Sequence, residues 1–210
     1  MTAHIKLPPP QKDLKFPLMQ ALEKRRTRRK WKEKELSLQE ISNLLWAACG
    51  VTAPATPKSK SKRTAPSARN SQTIKVYLTL PNALFLYDEM NHALIPLLAE
   101  DIRMYIGNQK MMKSAPAGLV YVADFSKLKS YTGVDDNRKW FVAGTETGFI
   151  SQNVYLYCAS ANLSTAIIGL VNRDQLHKIM KLQDYQKIMY TQAVGIAQNL
   201  YLKEESENTD

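Results

Sequence analysis

GFISQNVYLYCASANLSTAIIG, residues 148–169, opens as a helix and closes as a strand. It belongs to the longest helical pattern in the chain, residues 136–163, with Ala143, Gly144, Thr147, Gly148, Ser151, Val154 and Cys158 near one face. Small side chains on that face would let another backbone approach closely. From about Thr165 to Ile168 the run changes to an apolar strand pattern. Helix and strand in direct succession, repeated irregularly elsewhere, are the mark of an α+β chain.

Working toward the amino terminus, AGLVYVAD (117–124) reads as a buried strand and residues 91–113 as mostly helical. Ile74, Val76, Leu78 and Leu80 alternate with polar neighbours as in a half-buried strand, and Pro81-Asn82 turns the chain into ALFLYD, a hairpin partner. Residues 51–72, rich in Pro, Ser, Thr and Lys without periodicity, read as a long loop, and loops of that length tend to be functional. Ser37-Leu38-Gln39-Glu40 has capping-box spacing ahead of Ile41, Leu44, Leu45 and Ala48, with Gly50 as the stop. A first helix is expected over 18–24, and residues 1–17 as an extended segment. Toward the carboxy terminus follow a helix over 174–180, a strand over 188–194 and a polar tail, 203–210. No regular βαβ rhythm appears, so the expected architecture is α+β, one domain over 18–202.

Composition narrows the function classes. Of 210 residues, 44% are hydrophobic and 23% charged, an ordinary globular balance. No apolar stretch reaches the roughly 18–20 residues that span a bilayer. MTAHIKLPPPQKDLKF has no apolar core of a secretory signal, so the expected location is cytoplasmic. Cys49 and Cys158 lie far apart without metal-site spacing and read as small buried side chains. The eight glycines form no GxG, and His4, His92 and His177 sit in no nucleophile–base pattern. No carboxylate pair reads as an acid/base couple. An enzyme with this inventory takes its hard chemistry from a cofactor.

The charge is uneven: residues 1–75 carry +12 and the remainder −2. RRTRRKW (25–31) is the densest block. Such a field suits nucleic acid, an anionic surface or one small dianion. Thin aromatic interleaving and the lack of any nucleic-acid motif argue against the first. Arg25, Thr27 and Arg29 are spaced so that two guanidinium forks and a hydroxyl converge on one anion in an extended or turning segment. PSARNSQ (66–72) adds Ser67, Arg69 and Asn70 beside a proline-set turn.

Taken together, ALEKRRTRRKW (21–31), LSLQEISNLLWAACG (36–50), RTAPSARNSQ (63–72), GFISQNVYLYCASANLSTAIIG and QAVG (192–195) resemble, in order and spacing, the FMN-dependent nitroreductase family, close to its SagB-type dehydrogenase branch. The resemblance implies an α+β fold with a small central mixed or antiparallel sheet flanked by helices, and an intertwined homodimer with FMN at the interface. It also implies NADH or NADPH as donor and a ping-pong transfer to an electron-poor small-molecule acceptor such as a nitroaromatic or quinone. By the same resemblance, Arg25, Arg26, Thr27 and Arg29 would hold the FMN phosphate and ribityl chain or the pyrimidine edge. Pro66, Ser67 and Ala68 would reach the flavin from the other subunit, with Asn70 close by. Ile167, Ile168 and Gly169 would lie by N5, and Asn108 and Gln109 near the ribityl or ring oxygens. No metal is implied.

Departures from the pattern are Thr27 for the usual serine, Ser164-Thr165 in place of a Gly-rich turn, and VGIAQ (194–198) without the family's basic residue. Arg63 or Arg69 is expected to compensate, and the basic run from Lys58 to Arg63 to favour an anionic donor or substrate. The competing readings are a basic binding module that shares the fold without redox activity, and a SagB-like dehydrogenase acting on peptide azolines.

Overall fold

The computed structural model describes residues 3–107, 110–131 and 136–198. The elements run β1 (Ile5–Lys6), α1 (Leu18–Lys24), α2 (Leu38–Cys49), β2 (Val51–Ala53), β3 (Lys62–Arg63), β4 (Ile74–Leu80), β5 (Ala83–Asp88), β6 (Ala93–Leu98), β7 (Ala117–Asp124), α3 (Asp136–Ser160), β8 (Leu163–Ile168), α4 (Arg173–Ile179) and β9 (Gln186–Ile196). Seven strands form one sheet in the order β1-β6-β5-β4-β7-β9-β8, and β2 pairs β3 in a separate ribbon. All the strand pairings are antiparallel. The fold is α+β, as expected.

Both faces of the sheet are buried, which explains why AGLVYVAD reads as continuously apolar rather than alternating. Val76 and Tyr121 are register partners, as are Leu78 and Leu119, and both pairs join a core under α2 and α3. One residue along, Tyr77 and Val120 pair on the opposite face with Ile106, Met112, Leu176 and Ile188. Period-two geometry sends neighbours to opposite sides, so a strand with two cores must be apolar at every position.

The capping box forms as read: the Ser37 hydroxyl accepts the Glu40 N–H at 3.2 Å while Glu40 accepts the Ser37 N–H at 2.7 Å. The segment 91–113 is corrected. Pro96 cannot sit inside a helix, and Ala93–Leu98 is instead a strand on β5. The turn ahead of it is made by Asp88, whose carboxylate accepts N–H groups of Met90 and Asn91, and by His92 at φ 48. The expected loop 51–72 also needs correcting, because it contains the β2–β3 ribbon and a 3₁₀ turn over Ala68–Asn70. Strands of two and three residues broken by Pro54 and Pro57 leave too little pattern to read. The long helix ends at Ser160, and Asn162 at φ 54 turns the chain into β8, so Ser164 and Thr165 lie in the strand rather than in the turn.

The extended amino-terminal segment docks on its own chain. Leu7 is buried, Ser42 donates to the Pro8 carbonyl at 2.6 Å, and the Gln11 N–H donates to Asn43 Oδ1 at 2.8 Å. His92 sits under this strap, 2.7 Å from Ser42 Oγ and 2.7 Å from the Tyr87 hydroxyl. Among the described residues no helix is long and apolar enough to cross a membrane. The tail 203–210 lies outside the described residues.

Candidate functional site

Past α1 the chain leaves helical geometry at Arg25 and passes along β8, the edge strand of the sheet, and the end of β9. The Arg28 N–H donates to the Thr165 carbonyl and the Lys32 N–H to the Ile196 carbonyl, both at 2.9 Å. Trp31 anchors the far end: it is buried, and its indole N–H donates to the Ser114 carbonyl at 2.9 Å. Gly195 makes room for it, since a Cβ there would stand 2.7 Å from Trp31 Cβ.

Alternate side chains of an extended run take opposite sides. Arg25 and Thr27 both meet Tyr155 of α3: the Arg25 guanidinium lies 5.5 Å from the ring centroid, and Thr27 Oγ1 is 3.1 Å from the hydroxyl. Arg29, two residues further on, is exposed. Arg26 does not join them, because its guanidinium donates to the carbonyls of Glu23 at 2.7 Å and Arg25 at 3.0 Å. Arg28 is half-buried.

Tyr155 also reaches the third expected group. Its hydroxyl accepts the Ile167 N–H at 3.0 Å, so that donor is already engaged within the chain. Ile168 is buried in the core, whereas Gly169 is exposed at the end of β8. One tyrosine thus joins the arginine segment to the strand end.

Ser67, Ala68 and Asn70 lie in a loop of unusual backbone. Arg69, Asn70 and Gln72 have φ of 51, 52 and 53, the left-handed region that side-chain-bearing residues avoid. Each such residue costs on the order of 1–3 kcal/mol unless its surroundings impose it, Asn least. Here they do. Ser67 Oγ accepts the Gln72 N–H at 3.0 Å, and the Ser61 carbonyl accepts from Asn70 Nδ2 at 3.0 Å and Gln72 Nε2 at 2.6 Å. The Ala68 N–H donates at 2.9 Å to Glu146 Oε1, a carboxylate oxygen from α3. Glu146 is only 3% exposed, and burial lifts its carboxyl above the ordinary range against the lowering pull of donors on Ala68, Ser71 and Thr73. Pro66 is exposed on the loop.

Within one chain the arginine segment and this loop do not converge. Their anchors on α3, Tyr155 and Glu146, are nine residues apart, which in an α-helix is about 13 Å of rise and half a turn of azimuth. Arg63 does not compensate for the missing basic residue: its side chain is buried and ion-paired with Glu89, which Lys75 also contacts at 2.6 Å. Asn108 and Gln109 lie outside the described residues. Both thiols are buried, as read, and burial pushes Cys49 up to about 11. Among the described residues no group of three or more His, Cys, Asp or Glu is placed to hold a metal.

Sequence reasoning passed over Glu146 and Tyr155. The signal for Glu146 was available: a carboxylate one turn from Ala143 and Ile150, inside an otherwise apolar stripe. Tyr155 offered none, because its partner Thr27 is 128 positions away.

A sequence model of the nitroreductase family matches residues 22–196. A protein of Methanocaldococcus jannaschii named as a nitroreductase is 26% identical over 182 residues, covering 82% of this chain and 88% of that one. A crystal structure from Ralstonia eutropha, also named as a nitroreductase, is 34% identical with a TM-score of 0.83, over 93% of this chain and 90% of its own. The NADPH:FMN oxidoreductase of Vibrio harveyi, solved with NAD+, shares the fold at 14% identity and a TM-score of 0.61, over 87% and 69%.

Proposed function

The chain belongs to the nitroreductase family, and on that premise we propose that it is an FMN-dependent oxidoreductase working as a homodimer. The observation that carries this reading is the extended run whose Arg25 and Thr27 meet on Tyr155 beside the end of β8. Two guanidinium groups and a hydroxyl on one side of an extended chain suit a phosphate tail: the forks match its oxygens and the hydroxyl adds a neutral donor. FMN, when bound, supplies the redox chemistry, taking hydride from NADH or NADPH and passing it to an electron-poor acceptor such as a nitroaromatic or quinone.

In this reading Arg25, Thr27 and Arg29 hold the phosphate end, and the exposed Gly169 lies at the ring. Ser67, Ala68 and Asn70 of the partner subunit close the site. A second copy accounts for the separation of the two residue sets on α3, since the loop of one subunit then reaches the arginine segment of the other. Exposed apolar side chains on the packed pair α1 and α3 favour such a contact: Leu18, Met19 and Phe141 are 63%, 73% and 75% exposed. Gly144 and Gly148 have nothing within 4 Å of where a Cβ would stand, and they lie off the buried face that holds Ala143, Thr147 and Val154.

The reading is tested by FMN titration of the wild-type chain and of the Arg25→Ala/Arg29→Ala variant. Saturable binding in the first and its loss in the second, with an unchanged far-UV spectrum, supports it. Undiminished affinity in the variant refutes the phosphate assignment.

A further inference from the structure

Glu146 is buried, so it cannot itself meet a ligand at the surface, yet it carries a carboxylate into the apolar underside of the sheet. A buried carboxylate is costly and persists where donors are built around it. Those donors all belong to the loop after Pro66. Oε1 accepts the Ala68 N–H at 2.9 Å and faces the Ser71 hydroxyl at 3.4 Å. Across the gap behind the loop lie Cys49 at the end of α2, Arg63 of β3, Ile74 of β4 and Ile150 of α3.

The loop held this way is the one with three left-handed, non-glycine residues within four positions. Backbone of that kind relaxes when its supports are removed. Its other supports come from the loop itself, through Ser67, from Ser61 just ahead of β3, and from Lys127, whose ammonium donates to the Gln72 carbonyl at 3.1 Å. Glu146 is the support that comes from α3, the helix that also carries Tyr155 and thereby the arginine segment.

We propose that Glu146 is a positioning residue, whose carboxylate oxygen holds the Pro66–Gln72 loop in the conformation that closes the cofactor site, without touching the cofactor. This rests on the FMN reading above. It also sets α3 as the common gauge of the site: one helix fixes the arginine segment at Tyr155 and the closing loop at Glu146.

The experiment compares wild type, Glu146→Gln and Glu146→Ala in three measurements: FMN affinity by titration, apo-protein melting, and amide exchange of residues 68–72 without FMN. Gln keeps an acceptor oxygen for the Ala68 N–H, while Ala leaves that donor unpaired. The expected result is an affinity loss of about tenfold or more in Glu146→Ala, as losing one charge-assisted hydrogen bond implies. Glu146→Gln should keep affinity within about threefold, because its bond survives without the charge. Exchange at 68–72 should rise in Glu146→Ala while β4 and β7 stay protected. The proposal is overturned if Glu146→Ala binds FMN as wild type does, if Glu146→Gln loses as much as Glu146→Ala, or if exchange at 68–72 is unmoved. Should Glu146→Ala not fold, Glu146→Met, which fills the same space without an acceptor oxygen, takes its place in the affinity and loop-exchange measurements with the same expected and overturning results. A wild-type chain that takes up no FMN sinks the FMN reading instead, and loop exchange then judges Glu146 by itself.

Discussion

The Tyr155 hydroxyl accepts the main-chain N–H of Ile167 at 3.0 Å. The same oxygen stands 3.1 Å from Thr27 Oγ1, so one hydroxyl ties α3 to both the arginine segment and the end of β8. Tyr155→Phe keeps the ring under Arg25 and removes only that oxygen. The Ile167 N–H then loses its partner, and a stability loss of about 1–2 kcal/mol is expected from denaturant unfolding. FMN affinity should fall several-fold, since Thr27 is no longer held in place. Unfolding and titration curves that superimpose on the wild type would contradict this link.

Gly195 is the seat of Trp31. An added methyl would stand 2.7 Å from Trp31 Cβ and 2.8 Å from Pro116 Cδ, neither of which is the loose end of a flexible chain. Gly195→Ala is expected to cost about 1–3 kcal/mol by overpacking. Because Trp31 anchors the arginine segment, its fluorescence should report the shift.

The thiols are placed to be inert. Burial raises Cys158 well above the ordinary thiol range and Cys49 to about 11, although Arg63 and Lys75 pull Cys49 the other way. Reaction needs the thiolate and access to it. A disulfide reagent should therefore label two thiols in denaturant and neither in the native protein within the same period.

His92 gives the amino-terminal strap a pH dependence. Burial, with Lys6 and Lys12 nearby, holds its imidazole below the ordinary histidine value, while the Pro8 carbonyl opposes them. The folded state thus keeps His92 neutral at a pH where the unfolded chain has begun to bind the proton. Its contribution to stability is full above about 6.5 and is lost as pH falls through the lower folded value. Thermal melting from pH 7.5 to 5 should show a steeper loss in wild type than in His92→Gln, and equal slopes would refute the assignment.

Local signals proved the legible ones. The Ser37 capping box, the Pro81-Asn82 hairpin and the apolar strand Ala117–Asp124 depend on neighbours in sequence and appear where they were read. The Ala93–Leu98 strand was hidden because its apolar run does not alternate, and its sheet position is imposed by pairing with β5. At the site, the nearness of Arg25 and Thr27 was legible from their spacing, and both meet Tyr155. What Tyr155 and Glu146 do was not, because each meets its partner across a gap of 128 or 78 positions that only the tertiary fold closes. The backbone strain at Arg69, Asn70 and Gln72 was equally silent, since none of the three is a glycine that would announce a left-handed turn.

The most direct test of the account is anaerobic reduction of the FMN-loaded protein, followed in the visible flavin band. The account predicts that the chain takes up FMN and that NADH or NADPH bleaches the band, with the colour restored by an electron-poor acceptor such as a quinone. A protein that takes up no FMN, or a loaded protein whose band neither nucleotide bleaches, would contradict it.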